Sequence, residues 1–342
     1  MTRQLARTTA PEVLGRARDL VAPVLRLAID GIADDRMRLV AGYQMGFNDA
    51  DGNPSESGGK AIRPALALLS AQAVLGEPDS GIPGAVAIEL VHNFSLLHDD
   101  VMDRDLERRH RPTGWVAFGE GLAILAGNAL LTRAIEVLME TGLAGRRSLP
   151  AVLEATQLLI GGQSQDLALE GRRDVTLDEV LAMEAGKTAA LLSCASSVGA
   201  LAAGAPEHVV AGLASFGHEL GIAFQLVDDV LGVVGDPART GKSSSSDVRA
   251  GKCSAPIVAA LADPSRTGKQ LAQLFADGPP ATEADVARAT ELIVEAGGVA
   301  WAAQEADTRL DKAIRQLEDL KLVESAAADL AAVATYIVTR DR

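Results

Sequence analysis

The sequence predicts an all-α protein, and three observations carry that reading. Of the 342 residues, 48% are apolar but only 3% aromatic. Ala, Leu and Val dominate; Ala and Leu enter helices at little cost, and the aromatic runs that favour strands are scarce. Apolar residues recur at three- and four-residue spacing almost without interruption, while convincing strand-like alternation is absent. The expected architecture is one domain over residues 1–342, a bundle with no long linker to split it.

The elements follow in order. In "PEVLGRARDLVAPVLRLAIDGI" (11–32), Leu14, Leu20, Val21, Val24, Leu25 and Leu27 form a broad apolar stripe behind Pro11. "KAIRPALALLSAQAVLG" (60–76) starts close to Pro64 and stops at Gly76. A third long segment covers 83–104. Further helical stretches are expected at 119–142, 148–170, 176–203, 207–232, 254–262, 282–297 and 299–338. Three polar breaks interrupt them: "NDADGNPSESGGK" (48–60), the basic "ERRHRPTGW" (107–115) and "GDPARTGKSSSSDVRAGK" (235–252).

Charge and composition exclude several functions. The formal net charge is −14, so the basic footprint of a nucleic-acid binder is missing and an anionic ligand needs a local cluster of cations. Cys194 and Cys253 form no CxxC pair and read as reduced thiols. The five histidines show no zinc spacing. No apolar h-region opens the chain, and no uncharged apolar run reaches the ~18 residues of a spanning helix. The expectation is a soluble, cytoplasmic protein.

Chemistry concentrates at two acidic patches. "LLHDDVMDRDLERRH" (96–110) places Asp99 and Asp103 on one helix face, one turn apart, with Asp100 about a third of a turn round. The plain alternative is a solvated helix end paired with Arg104 or Arg108. "FQLVDDVLGVVGD" (224–236) then repeats the device with Asp228 and Asp229, Gln225 one turn earlier on the face of Asp229, and Asp236 beyond. Two such patches suit Mg²⁺, which takes one or two carboxylates from a protein and its other ligands from water and substrate phosphates. Candidate phosphate-binding cations sit at the same breaks: Lys60 and Arg63, Arg108 and Arg109, Lys242 and Lys252. Lys187, inside the apolar "AGKTAA", would be costly if unpaired. No P-loop or dinucleotide-binding glycine pattern is present.

In order and spacing, "GGKAIRP", "ELVHNFSLLHDDVMDRDLERRHRPT", "GGQSQDL", "AGKTA" and "FQLVDDVLGVVGDPARTGKSSSSDVRAGK" resemble the trans-isoprenyl diphosphate synthase (polyprenyl synthetase) family over nearly the whole chain. The resemblance implies an all-α bundle, usually homodimeric, with a deep cavity between the two patches. It implies that isopentenyl diphosphate condenses head-to-tail with an allylic diphosphate. The allylic C–O bond ionises, the double bond of isopentenyl diphosphate attacks the cation, and a proton leaves. By the same resemblance Asp99, Asp103 and Asp228 ligate Mg²⁺, with Asp100 and Asp229 as outer partners. Arg108, Lys187, Thr188, Gln225, Lys242 and Lys252 hold the allylic diphosphate; Lys60, Arg63, His92 and Arg109 hold isopentenyl diphosphate.

Phe94 precedes Asp99 by five residues, ~7.5 Å along the helix axis. With the small Ser95 beside it, it is the candidate floor for the growing tail. The resemblance implies a geranylgeranyl (C20) product, with farnesyl (C15) or longer products as alternatives. A class I terpene cyclase lacks an Asn/Ser/Glu metal motif to support it here, and a non-catalytic partner subunit would tend to lose the first acidic motif, which is whole. Four departures stand out: Gly232 where the second motif usually ends in Asp, Ala61 for a usual Arg, His110 for a usual Gly, and serines at 243–246 for a Pro-containing stretch.

Overall fold

The computed structural model describes residues 9–55, 59–75, 77–235, 245–276 and 278–339. It is 79% helical, and its strand content is nearly confined to one two-residue hairpin, so the all-α class holds. The contacts divide the chain into two compact units. One contains Met1–Thr156, Leu191–Gly217 and Gln316–Tyr336; the other contains Gln157–Ala190, His218–Arg315 and Ile337–Arg342.

In the first unit, α1 (Ala10–Asp30), α2 (Asp35–Met45), α3 (Ile62–Leu75) and α6 (Glu120–Glu140) all pack on α4 (Ile82–Met102). Because α4 has neighbours on so many sides, it is apolar nearly all round: Val86, Ile88, Leu90, Val91 and Leu97 are completely buried. Its polar residues Glu89, His92 and Asn93 therefore need partners inside the protein. The basic break at 107–115 folds into the hairpin β1 (Glu107–Arg108) and β2 (Arg111–Pro112), followed by α5 (Gly114–Phe118).

In the second unit, α8 (Leu177–Glu184) continues through a π-helical turn, Ala185–Ala189, towards α9 (Ala190–Ala203). The long helices α7 (Gly142–Leu169) and α10 (Glu207–Val234) precede and follow this stretch. A small core gathers Val233, Val248, Ile257, Leu271, Val286, Leu292 and Ile293. They come from α10, α11 (Ser246–Ala250), α12 (Ala255–Leu261), α13 (Arg266–Leu274) and α14 (Glu283–Glu295). Glu219, buried on α10, accepts from Lys312 Nζ at 2.5 Å and Arg309 Nη1 at 3.1 Å on α15 (Gly298–Glu318). Two cations compensate the burial of one carboxylate.

Three elements depart from the sequence reading. Helix α2 was not expected, yet Asp34 caps it by accepting from the amides of Arg36 and Met37, and Gly46 ends it at φ 77°. Helix α13 has the same kind of start, with Ser265 accepting from Thr267 N and Gly268 N. The segment expected as one helix over 299–338 breaks into α15 and α16 (Glu324–Thr339) without Pro or Gly at the break. There the amide of Val323 leaves the helical pattern to donate to the carbonyl of Ala73, at 2.9 Å, a bond local propensity does not reveal.

Helices α6 and α10 are long and apolar enough to cross a membrane by length and composition. Leu213, Phe216, Leu220 and Leu226 of α10 and Leu130 and Leu138 of α6 are instead completely buried against protein. Cys194 and Cys253 are both free thiols.

Close helix contact gives the fold a sharp test. A Cβ at Gly199 of α9 would lie 2.1 Å from the carbonyl oxygen of Ala67 on α3, whereas one at Gly15 of α1 meets nothing within 4 Å. We expect Gly199→Ala to destabilise by about 1–3 kcal/mol through overpacking. Gly15→Ala should stabilise by up to about 1 kcal/mol through helix propensity alone. Urea-unfolding midpoints check both signs.

Candidate active site

The first acidic patch forms where α4 runs out. Asp103 is its C-cap residue, and its amide donates to the carbonyl of Asp99 at 2.8 Å, so the two carboxylates remain one turn apart. Asp99 and Asp103 keep some solvent exposure; Asp100 is 1% exposed. Arg108 Nε donates to Asp100 Oδ1 at 2.7 Å, leaving Asp100 Oδ2 buried without a hydrogen-bond partner. Burial raises the Asp100 pKa, and the Arg108 charge opposes that rise. The other arginine considered as a partner, Arg104, turns instead to Glu120.

The arginines are aimed by a tight hairpin. Glu107 pairs with Pro112 and Arg108 with Arg111, leaving Arg109 and His110 as the two loop residues at φ 53° and 59°. Two successive positive φ values are the signature of a type I′ turn, which explains why glycine is usual at the position of His110. Arg109 packs its guanidinium over Gly59, where a Cβ would lie 3.2 Å from Nη2. Ala61, at φ 54°, turns the chain between Lys60 and Arg63 at the start of α3.

Glu89 joins these cations, a residue the sequence reading passed over. Arg63 and Arg109 act on it electrostatically, and Asn93 Nδ2 donates to its Oε1 at 3.3 Å. A carboxylate inside "AVAIELVHNF" was the available signal. His92, one turn on, is pushed well below the ordinary imidazole pKa, first by burial and then by Arg63, Arg109 and Arg108. It is therefore neutral near pH 7. The hairpin also walls a cleft with Tyr43, Gln44 and Arg111; the Arg111 guanidinium lies 4.0 Å above the Tyr43 ring.

Phe94 and Ser95 are both buried at 7% exposure. The Phe94 ring meets His98 edge-on, with centroids 4.8 Å apart, and the Ser95 hydroxyl donates back to the carbonyl of His92 at 2.8 Å. His98 fits only because residue 127 is glycine: a Cβ there would lie 2.4 Å from its Nε2.

In the second unit the π turn carries Lys187 and Thr188. It lies directly against α7, since a Cβ at Gly162 would be 2.1 Å from the Lys187 amide nitrogen. The Lys187 ammonium donates to Asp166 of α7 at 2.5 Å, which answers the cost of burying it. Thr188 Oγ1 donates to Gln225 Oε1 at 2.8 Å, and Gln225 Nε2 donates to Asp229 Oδ1 at 2.8 Å. The amide of Ala255 donates to the other Asp229 oxygen, also at 2.8 Å.

Asp229 is thus buried and engaged while Asp228 is exposed, the same division as between Asp100 and Asp99. Burial, then the charge of Asp247, pushes the Asp229 carboxyl up to about 6. Glu184, buried beside it, is held well above the usual carboxylate range by burial and by Asp229. Lys252 is exposed next to Asp247, to whose carbonyl its amide donates at 2.9 Å. Lys242 and Asp236 lie outside the described residues.

Among the described residues, no three His, Cys, Asp or Glu side chains converge closely enough to hold an ion by themselves. Pairs of accessible carboxylates with an orphaned oxygen on Asp100 suit a hard cation that completes its shell with water and phosphate.

Comparison with known proteins gives three findings. The family model described as Polyprenyl synthetase matches residues 51–293. A (2E,6E)-farnesyl diphosphate synthase of Mycobacterium tuberculosis is 45% identical over 98% of this chain and 95% of its own, and a geranylgeranyl diphosphate synthase of the same organism is 44% identical over 90% and 88%. The crystal structure of a polyprenyl synthetase from Streptomyces coelicolor superposes with a TM-score of 0.91 at 45% identity, covering 96% of this chain and 99% of that one.

A neutral His92 leaves a pH signature. Its folded pKa is depressed, so below about 6.5 the unfolded chain binds a proton the folded one refuses, and stability falls as pH falls. The stability difference between the parent and His92→Gln should therefore grow from pH 5 to about 6.5, by at most about 1.4 kcal/mol per pH unit. Above that it should be constant. Urea midpoints measured across that range would contradict the assignment by showing a flat difference.

Proposed function

Because the chain belongs to the polyprenyl synthetase family and is a trans-prenyl diphosphate synthase, we propose that its principal product is geranylgeranyl diphosphate. The observation that carries this reading is the pair Phe94–Ser95: one bulky residue, braced by His98, next to a residue too small to block a tail. The C15 reading has its own support, since the farnesyl-named relative matches as well as the geranylgeranyl-named one.

The roles divide by environment. Lys60, Arg63, Arg109 and neutral His92 bind the diphosphate of isopentenyl diphosphate, and Glu89 and Gly59 hold those cations in place. Arg108, Lys187, Thr188, Gln225, Lys242 and Lys252 bind the allylic diphosphate. In the starting structure Asp100 and Asp166 hold Arg108 and Lys187, and each cation can pass from its carboxylate to phosphate oxygens without moving through an unpaired state. Asp99, Asp103 and Asp228 are the carboxylates for Mg²⁺, with Asp100 and Asp229 behind them. When bound, Mg²⁺ neutralises the charge growing on the departing diphosphate. The apolar side chains around α4 exclude water, which would otherwise quench the allylic cation.

Residues 1–342 act as one synthase domain in this reading, and the family match runs through both compact units. A homodimer is proposed as well, supported by the apolar Leu125 and Met139 that α6 leaves exposed. A terpene cyclase has no feature here in its favour.

The test is incubation of the purified protein with Mg²⁺, isopentenyl diphosphate and, in turn, dimethylallyl, geranyl and farnesyl diphosphate. The expected product is C20 with every primer; termination at C15 overturns the chain-length reading. Phe94→Ala should shift products to longer chains, and an unchanged chromatogram would place the floor elsewhere.

A further inference from the structure

The second acidic motif lacks its usual third carboxylate, since position 232 is glycine. The structure places another carboxylate there. A Cβ built on Gly232 would lie 2.3 Å from Asp247 Oδ2, 2.4 Å from Asp247 Cγ and 2.8 Å from Asp247 Oδ1. The space that a side chain at 232 would enter is filled by the carboxylate of a residue fifteen positions later. We propose that Asp247 supplies the carboxylate missing from position 232, and that Gly232 and Asp247 are a matched exchange.

The placement of Asp247 is built rather than incidental. Val248, completely buried, anchors α11 in the core with Val233, the residue after Gly232. Ser245, at φ 56°, donates its hydroxyl to the carbonyl of Val233 at 3.0 Å and accepts from Thr290 Oγ1 at 2.9 Å. Behind Asp247, the amide of Lys252 closes on its carbonyl at 2.9 Å, and Arg249 Nη2 donates to Glu283 at 2.9 Å. Serine at 245 is one of the residues that depart from the family pattern, and its hydroxyl docks α11 onto the turn that carries Gly232. Two departures that look independent in the sequence therefore meet in one arrangement.

Asp247 also lies near enough to Asp229 for its charge to act on that carboxyl. No three donors among the described residues converge on one point, so Asp247 serves the water shell that Mg²⁺ keeps rather than the ion directly. It is a positioning residue, and outer partners of this kind are worth about 10- to 100-fold in metal affinity.

The inference rests on the proposed function, and the test keeps the two apart. Binding of Mn²⁺ in the presence of inorganic pyrophosphate is followed by electron paramagnetic resonance for the parent, Asp99→Asn, Asp247→Asn, Gly232→Asp and the exchange Gly232→Asp/Asp247→Ser. Thermal melting of each protein without metal is measured alongside. Asp247→Asn should weaken Mn²⁺ binding by about 10- to 100-fold at an unchanged melting temperature, and the exchange should recover most of the loss. Gly232→Asp alone should melt lower than the parent, because two carboxylates then compete for one volume. If Asp99→Asn weakens binding while Asp247→Asn does not, this inference fails and the proposed function stands. If neither affects binding and the parent elongates no primer, the functional reading itself fails. An exchange variant that melts like the parent but binds like Asp247→Asn also overturns the matched pair.

Discussion

Holding charge inside an apolar helical scaffold is the constraint on which the rest of this structure depends. A bundle rich in Ala, Leu and Val supplies dry walls, and a dry wall penalises every unpaired ion. Each charged residue held within it accordingly has a fixed counterpart: Asp100 has Arg108, Lys187 has Asp166, Glu89 has Arg63 and Arg109, and Glu219 has Arg309 and Lys312. Such pairs contribute little net stability. Their consequence is positional, because a cation already fixed beside a carboxylate has little freedom left to lose when a diphosphate arrives.

The same constraint separates the two members of each aspartate pair. Adjacent carboxylates on a helix point about a third of a turn apart, so one can face outward only if its neighbour turns in. Asp100 and Asp229 turn in and are held by Arg108, by Gln225 and by the Ala255 amide; Asp99 and Asp228 are left accessible. An acidic doublet is therefore one ligand and one brace, not two equivalent ligands.

Backbone geometry does the aiming. A two-residue hairpin with both loop residues at positive φ projects Arg108 and Arg109 from neighbouring positions, and a π turn against Gly162 sets out Lys187 and Thr188. Positive φ at Arg109 and His110 is strain of the kind that persists only when the surroundings hold it. Here the Tyr43 hydroxyl, donating to the Pro112 carbonyl at 2.6 Å, and Thr113, donating to the Asp105 carbonyl at 2.7 Å, hold the hairpin.

The sequence by itself determined the helical class, the two acidic patches and most of the cations, because these are written within single turns: Asp99 and Asp103 share a face by spacing alone. Whatever depends on contacts between distant segments was decided by the tertiary structure. It broke the 299–338 helix by lending the Val323 amide to Ala73, gave Lys187 its partner in Asp166, and made Asp100 and Asp229 the buried members of their pairs. It also set the Asp247 carboxylate where Gly232 has none. Periodicity reports which way a side chain leaves its own helix. It does not report what waits there, since burial and proximity are properties of the neighbours that folding brings.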